Sequence, residues 1–332
     1  MGHWDRRALY LQQTNKTTKP PPPPAMTKRL ALPALLLLPA LLPGQGSLTV
    51  PKTQAWRLHE SVRHEVEAAI HRGRAFLAVR QNAAGRWQMA PDHESIVPAL
   101  AFCDGATVGD WRQHPVLPTA VAAAVTTLEH DLHRVLSDAE LAELAYAGLL
   151  LQLLEHRPDL VGRVARRLAL TDQARLETCC DLIVSLALRS MVGDPVQDFE
   201  WSSVLARATR LDKPSGANVA QAGLARVLRG AGADGRAARA YLKWLGRKSP
   251  ATAEDAWWTA RFVALLPPAV LFEEEYPLDW RQRLAARLVA RQRRDGATGH
   301  GFWGSGEAPD AIDADVLRET TFAILTFVFV AE

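Results

Sequence analysis

Few residues of this 332-residue chain stand at the spacings that chemistry requires. The run DAIDAD, from Asp310 to Asp315, supplies carboxylates, and Glu319 follows Asp315 by four positions. Residues four apart share one helix face, so Asp315 and Glu319 would aim two acids the same way, with Asp313 at the helix start. Two carboxylates in a partly dry site repel one another, which raises at least one pKa and equips it as a general acid. Asp313, Asp315 and Glu319 are therefore the candidate catalytic set. Cys179, Cys180 and Asp181 are zinc-ligand types, but adjacent helical residues diverge by about 100°, and no histidine follows at a recognisable ligand spacing. His93 and Glu94 lack a second histidine at helical spacing. The chain carries no G-x-S-x-G, Walker loop or dinucleotide fingerprint, so no metal or cofactor is expected.

The elements that must position these residues are helices. At 48% apolar residues the chain can bury a large core, and a net charge of +3 with interspersed Arg and Glu gives no electrostatic footprint for nucleic acid. From about residue 57 apolar residues recur three and four apart, as at Leu141, Leu144, Ala145, Gly148 and Leu149, without alternating strand patterns. Pro and Gly break the helices at Pro115, Pro158, Gly193, Pro214, Pro250 and Pro267. Ser137-Asp138-Ala139-Glu140 reads as a capping box that starts one helix. Residues 57–332 form the folded domain.

Upstream of it lie two segments of another kind. Residues 1–25 are polar and Pro-rich and read as a leader outside the fold. Residues 26–46 have the layout of a secretory signal: basic at Lys28 and Arg29, apolar from Leu30 to Leu42, then small residues. That run is shorter than the roughly 20 residues a transmembrane helix needs, so no stable membrane anchor is expected. The mature chain is expected to start near Ser47, in a secreted or periplasmic protein. Cys103, Cys179 and Cys180 are too few for a disulfide framework and read as buried thiols, though a pairing of Cys103 with either neighbour stays open.

The stretch RGRAFLAVRQNAAGRW, residues 72–87, is repeated. Arg72, Leu77, Arg80, Gln81 and Gly85 recur in one register as Arg283, Leu288, Arg291, Gln292 and Gly296, and Trp303 takes the place of Trp87 after a five-residue insertion. A weaker copy begins at Arg239-Ala240-Tyr241-Leu242. The spacing fits a unit of about 42 residues, one helical hairpin. Division on this unit gives about six pairs, at 60–104, 115–156, 158–192, 200–231, 236–272 and 281–331. Within a pair the first helix is often richer in Arg, as from Val161 to Leu170, and the second more uniformly apolar, as from Leu182 to Leu188, as outer and inner helices would be. The fold class expected is all-α, an (α/α)6 toroid.

Arg72-Gly73, Phe76-Leu77, Gln81, Gly85 and Trp87 resemble the QW repeat of squalene and oxidosqualene cyclases, related to repeats in the β subunits of protein prenyltransferases. The resemblance implies the same toroid, and it implies bracing rather than catalysis for Gln81, Trp87, Gln292 and Trp303. The cyclases' Asp-x-Asp-Asp acid segment is absent here, which puts cyclisation in doubt. What the residues support is a ligand site at one rim, where inner helices begin and polar groups gather at free N–H groups. Those starts hold His93 and Glu94, Glu177 and Asp181, Asn218 and Gln221, Asp255 with Trp257, and Asp313, Asp315 and Glu319. Two readings stay open: a secreted toroid binding an apolar or carbohydrate ligand or a partner in its central cavity, or a diverged terpenoid- or carbohydrate-active enzyme using these acids. An aromatic-lined cavity would favour an isoprenoid, and a polar one with facing carboxylates a sugar.

Overall fold

The computed structural model describes residues 58–90, 93–104, 110–194, 196–210, 214–229, 235–294, 298–304 and 314–331. The leader, the signal segment and Asp313 lie outside the described residues. Of those described, 69% are helical and 4% are in strands, so the fold is all-α. The first helix, α1, spans Glu60–Ala78. Two strands, β1 (Trp87–Ala90) and β2 (His93–Ser95), and a 3-10 helix (Val97–Phe102) follow it. The chain continues through α2 (Leu117–Asp131), α3 (Asp138–Leu153), α4 (Pro158–Ala169), α5 (Cys179–Met191), α6 (Asp198–Thr209), α7 (Gly216–Leu228), α8 (Arg236–Gly246), α9 (Ala253–Val263), the short α10 (Pro268–Glu273) and α11 (Trp280–Arg291). Strands β3 (Arg293–Arg294) and β4 (Gly301–Phe302) lead into α12 (Ala314–Ala331).

Two features depart from a plain series of helical pairs. The first pair ends in a 3-10 helix rather than an α-helix, with Pro98 in its first turn, where a missing N–H costs least. Each copy of the repeated stretch carries a small antiparallel ribbon, β1–β2 beginning at Trp87 and β3–β4 ahead of Trp303, in place of the strand-free loops expected. In the second copy the ribbon straddles the extra residues that displace Trp303.

Alternate helices bury different amounts of surface. In α4 only one stripe is buried, Leu160, Val161, Val164, Ala165 and Leu168, as expected for a helix with one face in water. In α3 residues 144–151, in α5 residues 182–189, in α9 residues 255–263 and in α12 residues 320–327 are all buried. These inner helices contact one another in order: the 97–102 helix meets α3, α3 meets α5, α5 meets α7, α7 meets α9, and α9 meets α12. The series returns to its start, because α12 packs on the 97–102 helix and on α1. The approach of α7 to α9 is close enough that a Cβ on Gly223 would stand 2.7 Å from the Phe262 ring.

The repeated stretches form joints between helices. Trp87 is fully buried and donates its indole N–H to the Leu77 carbonyl at 2.7 Å, near the end of α1. Gln81 donates to the carbonyls of Gly85 (3.2 Å) and Val116 (3.1 Å) and accepts from Thr119, which ties the exit of α1 to the entry of α2. Gly85 lies beside this joint at φ +80°, and a Cβ there would meet the Thr119 carbonyl oxygen at 2.2 Å, so only glycine fits. The second copy repeats the scheme: Trp303 donates to Leu288 at 2.8 Å, and Gln292 donates to the Ala69 carbonyl at 2.9 Å while accepting from Arg72. Gln292 thus fastens α11 to α1. Gly296, its expected turn glycine, lies outside the described residues.

Candidate functional site

Four of the inner helices, α3, α5, α7 and α9, begin alike, and that beginning accounts for three of the polar residues the sequence singles out, Asp181, Asn218 and Asp255. In α3, Ser137 accepts from the Glu140 N–H while the Glu140 carboxylate takes the Ser137 N–H, the expected capping box. Thr178 and Asp181 do the same for α5, and Ser215 and Asn218 for α7. Thr252 caps α9 by accepting from the Asp255 N–H. The free N–H groups of a helix start need acceptors, so a polar residue at the third position of each helix follows from backbone chemistry alone. Asp181, Asn218 and Asp255 therefore have structural occupations. Asp255 is buried and spans to its neighbour, accepting from the N–H of Ala217 (2.6 Å) and of Ala251 (3.0 Å).

Other expected site residues stand elsewhere. His93 and Glu94 are exposed on β2 rather than at an inner-helix start, and Glu94 accepts from Asn82. Glu177 is exposed just ahead of the α5 cap. Trp257 is buried and covers the Arg261 guanidinium, which also lies over Phe329, the two rings forming a T-shaped pair, a packing role. Gln221 is buried within α7, its side-chain oxygen without a hydrogen-bond partner. Asp315 is exposed, whereas Glu319 turns to α9 and accepts from the Ala253 N–H at 2.6 Å. The two acids four residues apart do not meet in a shared pocket: one faces water and the other caps a neighbouring helix.

Around Glu319 and Asp181, residues that the sequence patterns did not nominate complete a polar rim. The Tyr146 hydroxyl on α3 donates to Asp181 at 3.0 Å and lies 3.2 Å from the Cys180 sulfur. Arg318 on α12 forms a two-pronged pair with Glu254 on α9, at 3.1 and 3.0 Å, the geometry in which guanidinium and carboxylate bind most firmly. Their side chains are 41% and 21% exposed, so the pair is open to solvent. Burial raises the Tyr146 phenol above its ordinary range, with Cys180 and Asp181 adding to the effect. Burial also raises Cys180, and it lifts Cys179 to about 11, so both thiols stay protonated and are poor nucleophiles. Burial works against the Arg318 charge, but Glu254, with Cys180 and Tyr146 adding to it, holds the guanidinium above its usual range. Glu319 is raised by burial, opposed by the backbone N–H groups of Ala253 and Glu254 and by Arg291.

The signals for these residues were present but weak. Tyr146 is the one hydroxyl in the otherwise apolar stretch 144–151 of α3, and Glu254 and Arg318 each sit beside a residue already singled out. Their pairing depends on which inner helices are neighbours, which spacing cannot reveal. Beneath the rim the fully buried stretches of α3, α5, α9 and α12 leave no described side chain open to solvent. The accessible polar surface is therefore at the rim rather than deep in the middle. Among the described residues, no group of three or more His, Cys, Asp or Glu side chains is arranged to hold a metal ion.

Two other places carry buried charge. Glu143 on α3 accepts from the Ile96 N–H at 2.6 Å and the Ser95 hydroxyl at 3.0 Å, and burial lifts its pKa to about 6. A cavity of about 480 Å³ lies between the α4–α5 connection and α6, lined in part by Gln173, Phe199, Glu200 and Arg207. The Glu200 carboxylate there is already bound by Arg189 and Gln173, and Asp172 on the same lining accepts from the Ala174 N–H.

No protein-family model matches this chain, and no curated protein sequence matches it.

Proposed function

We propose that this chain is an exported α/α toroid, of the kind found in squalene cyclases and prenyltransferase β subunits, that binds a hydroxyl-rich ligand of carbohydrate type at the rim where its inner helices begin. The toroid reading is supported by the return of the inner-helix contacts from α12 to the 97–102 helix, and by the two Gln–Trp joints at either end of the series. One observation carries the ligand class. Four inner helices place Tyr146, Asp181, Glu254 and Arg318 together as paired donors and acceptors, with Arg318 and Glu254 open to water. Such a surface exchanges hydrogen bonds with hydroxyl groups, and it offers an isoprenoid little apolar area to bury. The enzyme alternative rests on Glu319, the rim carboxylate that burial biases toward its protonated form.

Calorimetric titration with a panel of neutral oligosaccharides tests the reading, with squalene in detergent as the contrast. At least one oligosaccharide is expected to bind, and Arg318→Ala is expected to weaken it by about tenfold, the effect of losing a charged hydrogen-bonding group. Binding of squalene alone, or sugar binding indifferent to Arg318→Ala and Glu254→Gln, would overturn it. Export is tested separately. N-terminal sequencing of the secreted protein is expected to read from near Ser47, and retention of residues 26–46 would refute it. Among the described residues, no helix is long and apolar enough to cross a membrane.

A further inference from the structure

Helix α2 is started by an imidazole, where α3, α5, α7 and α9 use the hydroxyls of Ser137, Thr178, Ser215 and Thr252. Its N-cap position holds Val116, whose side chain has no acceptor. His114 takes over: its Nδ1 accepts from the Val116 N–H at 3.2 Å and from the Leu117 N–H at 3.4 Å. Pro118, in the first turn, has no N–H to satisfy, so these two bonds meet the first donors of the helix. A backbone N–H only donates, so the ring nitrogen must carry a lone pair and His114 must be neutral. A capping hydroxyl keeps its lone pairs in mild acid, whereas an imidazole loses this acceptor there.

The surroundings work against a charge on His114. The ring packs edge-on against Phe102, with centroids 5.3 Å apart. Arg74 on α1 acts on it, itself held by Asp104 at 2.8 Å and by the Ala101 carbonyl at 2.9 Å. Burial and Arg74 lower the imidazole from its ordinary 6.5, and Asp104 opposes them. Cys103, next to Phe102, lies in the field of the same Arg74 and Asp104. Three residues before His114, Trp111 is buried against His156, with Arg112 over its ring. His156 is lowered by burial, Arg112 and Arg157, with Asp159 opposing. A proton on His114 would thus place a cation near Arg74 and at the positive end of the α2 dipole.

What His114 holds is one side of the first Gln–Trp joint. The Val116 carbonyl and the Thr119 hydroxyl, both at the entry of α2, are the partners of Gln81. Gly85 lies against the Thr119 carbonyl in the same place. We propose that His114 is a proton-operated latch: neutral, it holds the entry of α2 against the end of α1, and protonated, it releases residues 110–117 and loosens the Gln81 joint. The released histidine titrates at its ordinary value and the held one lower. The latch is therefore shut above about pH 6.5 and opens as pH falls below it, the open population rising at most about tenfold per pH unit.

The test reads the accessibility of Cys103 with 4,4′-dithiodipyridine, a disulfide that labels thiols in mild acid, and mass spectrometry locates the label. Each rate is divided by that of the guanidinium-unfolded protein at the same pH, which removes the reagent's own pH dependence. Between pH 7.5 and pH 5, the relative rate at Cys103 is expected to rise about fivefold or more, while Cys179 and Cys180 stay slow. His114→Asn keeps a side-chain oxygen able to accept from the N–H groups two and three residues on, and it does not titrate. Its Cys103 rate is expected to be independent of pH, whatever its value, and circular dichroism at both pH values confirms that each protein is folded. A Cys103 rate that does not respond to pH would overturn the proposal. So would an equal rise in His114→Asn, or a rise shared by Cys179 and Cys180, the mark of whole-domain unfolding.

Discussion

The buried carboxyl of Glu143 makes stability depend on pH in a direction opposite to that of most acids. Its folded pKa is about 6, raised by burial from an ordinary 4.5, and the Ile96 N–H, the Ser95 hydroxyl and Arg86 restore only part of the lost hydration. A folded pKa above the unfolded one means that the native state holds its proton more tightly. The contribution is fully present below about pH 4.5 and is lost as pH rises through 6. A shift of about 1.5 units at 1.36 kcal/mol each gives about 2 kcal/mol. The side chain is 12% exposed, so solvent screening takes little from this figure. Glu143→Gln removes the titration while keeping a polar side chain of the same size. In urea unfolding at pH 4 and pH 7, the stability of the parent minus that of Glu143→Gln should fall by about 2 kcal/mol on going to pH 7, because titrations common to both proteins cancel. A difference independent of pH, or one that grows with pH, would refute burial as the dominant influence on Glu143.

The Gln–Trp joints and the thiols give two further checks. Trp87→Ala should lower unfolding stability by about 3 kcal/mol or more, since it empties a fully buried site and removes the indole hydrogen bond to the Leu77 carbonyl; unchanged stability in chemical denaturation would refute the bracing role. All three cysteines are free thiols, with Cys103 raised to about 12 and Cys179 to about 11 by burial. Iodoacetamide at pH 8 should therefore modify them slowly in the native protein and rapidly once guanidinium unfolds it, and fast native labelling followed by mass spectrometry would refute this.

Much of the fold was legible in residue patterns, and the reasons differ from element to element. Helix periodicity placed α4 because its buried stripe keeps one direction, long apolar runs placed α3 and α5, which are buried on most sides, and the Ser137 box was readable because capping is local chemistry. Gln81, Gly85 and Trp87 were readable as a joint through their resemblance to the QW repeat, although the Val116 and Thr119 partners of Gln81 lie 35 and 38 residues away. The ribbon β1–β2 was hidden by its shortness, and His93 and Glu94 were misplaced with it. The candidate site was less legible. Asp181, Asn218 and Asp255 drew attention for the right location, but their spacing from Thr178, Ser215 and Thr252 already marked them as caps. The Glu254–Arg318 pair joins positions 64 residues apart and exists only because α9 and α12 are neighbours, a fact of tertiary arrangement that no local pattern encodes.

The hydrogen bond from Gln292 to Ala69 spans 223 residues, and its consequence is kinetic. Contacts of high sequence separation must repay a large loop-closure entropy, and they slow folding more than local helix pairing does. The pairs from α2 to α9 can form with their near neighbours as the chain emerges, whereas α1 waits for α11 and α12 before its apolar stripe at Val66, Ala69, Phe76 and Leu77 is covered. Until then the unfinished domain has an adhesive edge at its first helix, and the molecule's exposure to aggregation is set by how long the last two helices take to arrive.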